Sequence, residues 1–274
     1  MAIYGLLGES LKHSISPRIH SLIFEEINIQ GTYELFEVDE KDLKDAINKF
    51  KTLGVAGVNV TIPYKTRIME YIDDVSLEAK NIGSVNTICF KDKGTIGYNT
   101  DYAGFGMLLK KNEIDICNKK AVILGSGGAA KAVIQYLLDK GIGEITIVSR
   151  EVYKTETLYN KKEFNFISYQ DISCLKEKDF IINCTPCGMY PIVDQCPIEK
   201  SHIDKFSTAI DLIYNPEETL LLKYAREQGG KAVNGLYMLI GQAVYAEELW
   251  HDIKIDKSTI DKVYEALRYN KHGR

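Results

Sequence analysis

Apolar positions along the chain follow two rhythms, and the change between them divides it. Residues 3–7 form a short apolar run suited to a strand buried on both faces, and Pro17 stands where a helix makes its first turn. Residues 32–38 return to strand, and Asp39 is placed to cap the next helix, whose Leu43, Ile47 and Phe50 recur at helical spacing. Residues 55–60 predict a third strand, and residues 85–90 and 95–98 a hairpin closed by Asp92, Lys93 and Gly94. After Asp101 the pattern becomes helix to about Lys111, strand 121–124, helix to about Lys140, strand 144–148, then strands 179–183 and 208–212. That alternation is the signature of a parallel, doubly wound sheet. Past Gly235 come two helical patterns, 236–250 and 257–269, with no strand after them, so they are expected to pack back on the first domain.

The 274 residues suit two modest domains at roughly 100–200 residues each. Apolar residues make up 45% and charged residues 26%, as in a globular enzyme. A net charge of −4, without basic residues interleaved with aromatics on one face, argues against nucleic acid as a partner. No apolar run approaches the roughly 18 residues that span a bilayer, and the start lacks a signal peptide's pattern, so a cytoplasmic protein is expected. Six scattered cysteines read as reduced thiols. Cys184 and Cys187 form a CxxC followed by Cys196 and His202, but zinc sites usually carry a second closely spaced ligand pair, so no metal is expected.

The first chemical motif follows the apolar run 121–124, which leads straight into Gly125, Ser126, Gly127, Gly128, Ala129 and Ala130. Ala130, Val133, Ile134 and Leu137 then form one helical stripe. Gly125 permits the tight turn, Gly127 lets backbone approach a pyrophosphate, and Ala130 allows close helix packing. Amides at the helix start face the phosphates, and the strand before and helix after raise this string above a chance glycine turn. At the end of strand 144–148 an NAD site wants an acidic residue, whereas this chain has Ser149 and Arg150, with Lys154 one turn on. A hydroxyl, a guanidinium and an ammonium suit a 2′-phosphate, which favours NADP. Glu151 is the complication, since a carboxylate pointing inward would repel that phosphate.

Polar residues gather where strands of the first domain end. Ser14 and Ser16 precede Pro17 and read either as helix N-caps or as ligands. Asn59, Thr61 and Lys65 fall at the end of strand 55–60, where open α/β sheets bind ligands, and Asn86, Asn99, Thr100 and Asp101 add to them. With these motifs the chain resembles the shikimate dehydrogenase family along its length. The likeness is carried by residues 13–17, 59–65, 83–87, 97–101, 125–129, 183–189 and 234–238, with Gln242.

The resemblance implies reversible reduction of 3-dehydroshikimate to shikimate with NADPH, in aromatic amino-acid biosynthesis. Its fold would be two α/β domains: a substrate domain with a mixed sheet, residues 1–101 completed by 236–274, and a Rossmann-type NADP domain, residues 102–235. Ser14, Ser16, Asn59, Thr61, Asn86, Tyr214 and Gln242 would hold the substrate, and Lys65 and Asp101 would be the catalytic pair. Gly125, Ser126, Gly127, Gly128, Ala129, Ser149, Arg150 and Lys154 would hold the cofactor, with Thr185, Ile213 and Gly235 near its nicotinamide end. Glu9 and Glu151 depart from the family's usual pattern. Two alternatives stand beside this reading: a quinate/shikimate dehydrogenase with looser choice, and a silent dinucleotide-sensing regulator. Retention of both Lys65 and Asp101 speaks against the second. Small-molecule partners and a monomer or homodimer complete the expectation.

Overall fold

A computed structural model describes residues 1–159 and 164–272. Its contacts divide the chain into two compact units, residues 1–105 with 239–274, and residues 106–238.

The first unit holds a six-stranded mixed sheet. Strands β1 (Ala2–Gly8), β2 (Gly31–Glu37) and β3 (Val55–Val60) run parallel, while β5 (Thr87–Lys91) and β6 (Gly94–Tyr98) form the antiparallel hairpin that joins β3. The two-residue β4 (Asp74–Val75) closes the order β2-β1-β3-β5-β6-β4. Helices α1 (Ser16–Glu26), α2 (Leu43–Leu53) and α3 (Leu77–Ile82) connect the strands. Leu43, Ile47 and Phe50 turn inward onto Leu7, Val58 and Ile88, as their spacing predicts.

Asp39 does not cap α2. A 3₁₀ turn, Glu40–Asp42, intervenes, the Asp39 carboxylate makes no capping bond, and it lies 3.6 Å from Lys41 Nζ on the surface. The three residues of that turn move the helix start beyond the reach of an Asp39 side chain.

The second unit is a doubly wound sheet with every strand parallel. Its order is β12-β11-β10-β7-β8-β9, formed by β7 (Lys120–Leu124), β8 (Glu144–Val148), β9 (Phe164–Ile167), β10 (Lys178–Asn183), β11 (Phe206–Asp211) and β12 (Lys231–Asn234). Helices α5 (Gly128–Asp139), α6 (Val152–Tyr159) and α7 (Leu220–Glu227) alternate with them. The order reverses between β7 and β10, the switch point at which such sheets bind ligands. Ala130, Val133, Ile134 and Leu137 are buried, as the stripe predicts.

Helices α4 (Thr100–Lys111) and α8 (Leu236–His251) carry the chain across the unit boundary, and α9 (Lys257–His272) ends it. In the first unit Trp250 of α8 packs with Tyr4, Phe24 and Cys89. Its indole occupies the space a side chain on Gly57 would need and donates to Ile88 O at 3.0 Å.

Candidate active site

The first unit assembles a polar cluster at the C-terminal end of β3. Beyond β3 the chain turns tightly, with Tyr64 N donating to Thr61 O and the buried Tyr64 hydroxyl donating to Val38 O at 2.6 Å. That anchorage fixes the next residue, Lys65, whose carbonyl accepts from Val85 N. Lys65 Nζ donates to Asp101 Oδ2 at 2.5 Å, in a pair that is only 16% and 10% exposed. In pairs this dry the desolvation penalty offsets much of the Coulomb attraction, so the pair is weak evidence of a stability role.

Asp101 lies in the first turn of α4, where the helix end favours negative charge. Asn86 supports it from β5's approach: its Nδ2 donates to Asp101 Oδ1 at 2.9 Å, and its Oδ1 accepts from Thr100 N at 2.7 Å. Thr87 Oγ1 donates to Asn86 Oδ1, and Asn59 Nδ2 donates to Thr87 Oγ1 at 3.0 Å. Thr100 Oγ1 reaches Gln242 Oε1 at 3.3 Å, so α8 is tied to the same network. Lys65, Asp101, Asn86, Asn59 and Gln242 thus belong to one hydrogen-bonded cluster. Both amide hydrogens of buried Asn59 point to protein acceptors, Thr87 Oγ1 and Asn86 O.

Ser14 and Ser16 flank Ile15, the residue at the N-cap position of α1, and no side chain caps that helix. Ser14 Oγ instead accepts from Ser16 N at 3.2 Å. Thr61 is half-buried, held by its own amide on Leu7 O.

The second unit builds a cradle at its switch point. Gly125 has φ +95°, a left-handed conformation natural to glycine, and Gly127 leads into α5 from extended backbone with open space where a Cβ would project. No side chain caps α5 and no acidic residue sits in its first turn, so its amides are left to an anion. Ser149 is buried and accepts from Thr155 Oγ1 at 2.8 Å, which also reaches Ser126 Oγ at 3.3 Å and so links the glycine loop to the end of β8. Arg150 is exposed beside this turn. Glu151 is exposed too, and pairs with Lys154 Nζ at 3.1 Å.

The loop after β10 is held by Asn183, whose Oδ1 accepts from both the amide and the hydroxyl of Thr185. Asn183 Nδ2 donates to Asp211 Oδ1, and Thr219 donates to Asp211 Oδ2 at 2.7 Å. Burial pushes the Asp211 carboxyl up to about 6, against the pull of these bonds. Ile213 and Tyr214 follow directly, and burial raises the Tyr214 phenol above its ordinary value. Gly235 packs so closely on the Leu212 carbonyl that a Cβ would fall 2.0 Å from its oxygen.

Burial raises the thiols of Cys184, Cys187 and Cys196, and among the described residues no group of three His, Cys, Asp or Glu could hold a metal ion. No described helix is long and apolar enough to cross a membrane.

Sequence reasoning missed Tyr33, Thr87 and Thr155 as supports, and named Thr100 only as a polar neighbour of Asp101. Thr87 and Thr100 adjoin Asn86 and Asp101 inside motifs already singled out, a signal that could have found them. Tyr33 and Thr155 carry no such signal.

Two family models match the chain, one described as the shikimate dehydrogenase substrate binding domain over residues 6–88, the other as shikimate / quinate 5-dehydrogenase over residues 107–214. A relative from Clostridium beijerinckii, named shikimate dehydrogenase (NADP(+)), is 48% identical over 264 residues, 96% of this chain and 97% of that one. The chain belongs to the shikimate dehydrogenase family. A solved chorismate mutase/shikimate 5-dehydrogenase fusion protein from Clostridium acetobutylicum matches with a TM-score of 0.95 and 51% identity, covering 98% of each chain. Shikimate 5-dehydrogenase from Thermus thermophilus, solved with NADP(H) and shikimate, matches with a TM-score of 0.88 and 28% identity over 97% of this chain and 99% of that one. The two α/β sheets described above are those of this family.

Proposed function

We propose that this chain is an NADP-dependent shikimate dehydrogenase, reducing 3-dehydroshikimate reversibly to shikimate in aromatic amino-acid biosynthesis. The observation that carries the reading is the dry Lys65–Asp101 pair, 2.5 Å apart, within the unit matched by the substrate-binding family model. The first unit carries most of the residues assigned to the substrate, and the second those assigned to the dinucleotide.

Reduction of the ketone places negative charge on its oxygen. The Lys65 ammonium stabilises that charge and donates the proton; in the oxidative direction neutral Lys65 accepts it back. Asp101 holds the ammonium in line, and Asn86 fixes Asp101 by its amide hydrogen bond. Ser14, Ser16, Thr61, Asn86, Tyr214 and Gln242 are assigned to the substrate's carboxylate and hydroxyls. Asn59, expected to join them, serves better as a brace, because its amide hydrogens already have protein acceptors.

NADPH, when bound, supplies the hydride. The chain fits it at the bare amides of α5, the open space over Gly127 and the exposed Arg150 with Lys154 for the 2′-phosphate. Gly125, Ser126, Gly128, Ala129 and Ser149 shape the turn, and Thr185, Ile213 and Gly235 are assigned to the nicotinamide end. The enzyme is read as cytoplasmic, a monomer or homodimer, with its cysteines reduced.

Turnover of shikimate by the purified protein, followed as NADPH absorbance, tests the reading; absence of turnover overturns it. Parallel kcat/KM values for quinate and shikimate separate this reading from a relaxed quinate/shikimate enzyme, which would use both comparably.

A further inference from the structure

Within the first unit the hydrogen bonds do not merely surround the Lys65–Asp101 pair; they run toward it in one direction. Tyr33 Oη donates to Asn59 Oδ1 at 2.7 Å, Asn59 Nδ2 to Thr87 Oγ1 at 3.0 Å, and Thr87 Oγ1 to Asn86 Oδ1 at 3.2 Å. Asn86 Nδ2 then donates to Asp101 Oδ1 at 2.9 Å, while Lys65 takes the other carboxylate oxygen. Each group that accepts from its outer neighbour donates to its inner one, an arrangement in which hydrogen bonds polarise and strengthen one another.

The outer end is also held from behind. The Tyr33 ring stacks on His20 with centroids 3.9 Å apart and planes 10° from parallel. His20 is fully buried on α1, its Nδ1 hydrogen-bonded to Glu247 Oε1 of α8, and Glu247 Oε2 meets His251 Nε2 at 3.0 Å. A carboxylate accepts only, so His20 presents Nδ1–H to it, and Nε2 has no hydrogen-bond partner. Burying a carboxylate and an imidazole to seat one aromatic ring is a costly arrangement for packing alone, since an apolar pair would fill the space without desolvation.

We propose that Tyr33, braced by His20, is a positioning residue for the reaction: it is joined to the Lys65–Asp101 pair through Asn59, Thr87 and Asn86. The link fixes the Asn59 amide in the orientation that feeds Thr87. Without the Tyr33 hydroxyl, Asn59 Oδ1 is left with no donor while its amide hydrogens stay on Asn86 O and Thr87 Oγ1, so the side chain is held from one side only and Thr87, Asn86 and Asp101 are held less firmly. This inference rests on the shikimate dehydrogenase reading.

The test is steady-state kinetics on the full chain, beginning with the wild type. Wild-type turnover of shikimate with NADP secures the reading on which the inference depends; its absence overturns both. Given turnover, Tyr33→Phe keeps the ring stack and is expected to lower kcat by about 3–10-fold, the worth of one such hydrogen bond, with KM for shikimate and for NADP within about twofold. Thr87→Val cuts the same chain nearer the pair and is expected to lower kcat by at least as much, while Thr87→Ser, which keeps the hydroxyl, restores it. The double variant Tyr33→Phe with Thr87→Val is expected to be no slower than Thr87→Val alone, because one chain can be broken only once. A kcat for Tyr33→Phe equal to wild type, a loss confined to KM, or effects that multiply in the double variant would each overturn the proposal. Melting temperatures of the variants show whether they fold, and Thr87→Ser against Thr87→Val carries the test if Tyr33→Phe does not.

Discussion

The Thr185 methyl carbon lies 2.8 Å from the point where a Cβ on Gly125 would stand, so the loops after β7 and β10 meet at the width of a glycine. Gly125 also has φ +95°, so an alanine there is both crowded and strained. Gly125→Ala is expected to cost about 1–3 kcal/mol of stability and to raise the Kd for NADPH about tenfold or more, leaving shikimate binding unchanged. Adding Thr185→Ser removes the methyl but not the strain, so only part of the loss returns. Calorimetric titration with each ligand reads both effects; equal weakening of both ligands would contradict a local role.

Lys65→Ala removes the proposed proton donor while leaving the other residues assigned to the substrate in place. Its kcat is expected to fall by about 10²–10⁴-fold with a much smaller change in KM. An unchanged kcat would take Lys65 out of the chemistry.

How far the sequence foretold these features depends on the range of the interactions. Val55–Val60, the 87–98 hairpin and the strand, loop and helix at 120–139 are local patterns, and they emerged where their hydrophobic spacing put them. Helix α3 and helix α6 are short, and β4 has two residues, so their periodicity is too brief to read. Lys65 and Asp101 were legible as residue types in motifs, but their meeting is made by a turn and a helix start 36 residues apart. Tyr33 was illegible as a brace, because nothing near it in sequence announces His20's bond to Glu247, 227 residues away. The worry over Glu151 also needed coordinates: it sits in the bend before α6 with its carboxylate exposed and paired with Lys154.

Arg150 and Lys154 differ in what holds them. Lys154 is engaged by Glu151, whereas Arg150 stands exposed after β8. Arg150→Ala is expected to raise KM for NADPH about tenfold, and that for NADH hardly at all, since only the former brings a 2′-phosphate to the guanidinium. Glu151→Gln frees Lys154 and is expected to lower KM for NADPH by about two- to fivefold. Equal effects of Arg150→Ala on both cofactors would refute the assignment.

Gly57 and Trp250 test the frame that seats the first unit's cluster. A Cβ on Gly57 would fall 2.2 Å from Trp250 Nε1, whose N–H donates to Ile88 O. Gly57→Ala must therefore push the indole off that carbonyl, and a loss of about 1–3 kcal/mol is expected in urea unfolding. A variant as stable as wild type would mean that α8 can yield without cost.

Asp211 gives the second unit a pH dependence of definite sign. Its carboxyl is fully buried and accepts from Asn183 Nδ2, Ile213 N and Thr219 Oγ1, yet burial outweighs these bonds and raises its pKa from 3.8 to about 6. Between those values the native state keeps a proton that the unfolded chain has released. Stability contributed by this group is therefore whole below about pH 4 and declines as pH rises through 6, by about 2–3 kcal/mol in all. Asp211→Asn has nothing to ionise. Its Oδ1 can still accept from Asn183 and Ile213, and its Nδ2 can donate to Thr219 Oγ1 as the protonated acid would. The difference in unfolding free energy between wild type and Asp211→Asn, measured in urea, is expected to move in the variant's favour by that amount from about pH 4 to pH 7. Because every other titrating group is common to both proteins, a difference that stays flat across this range would mean that Asp211 ionises as it would in water.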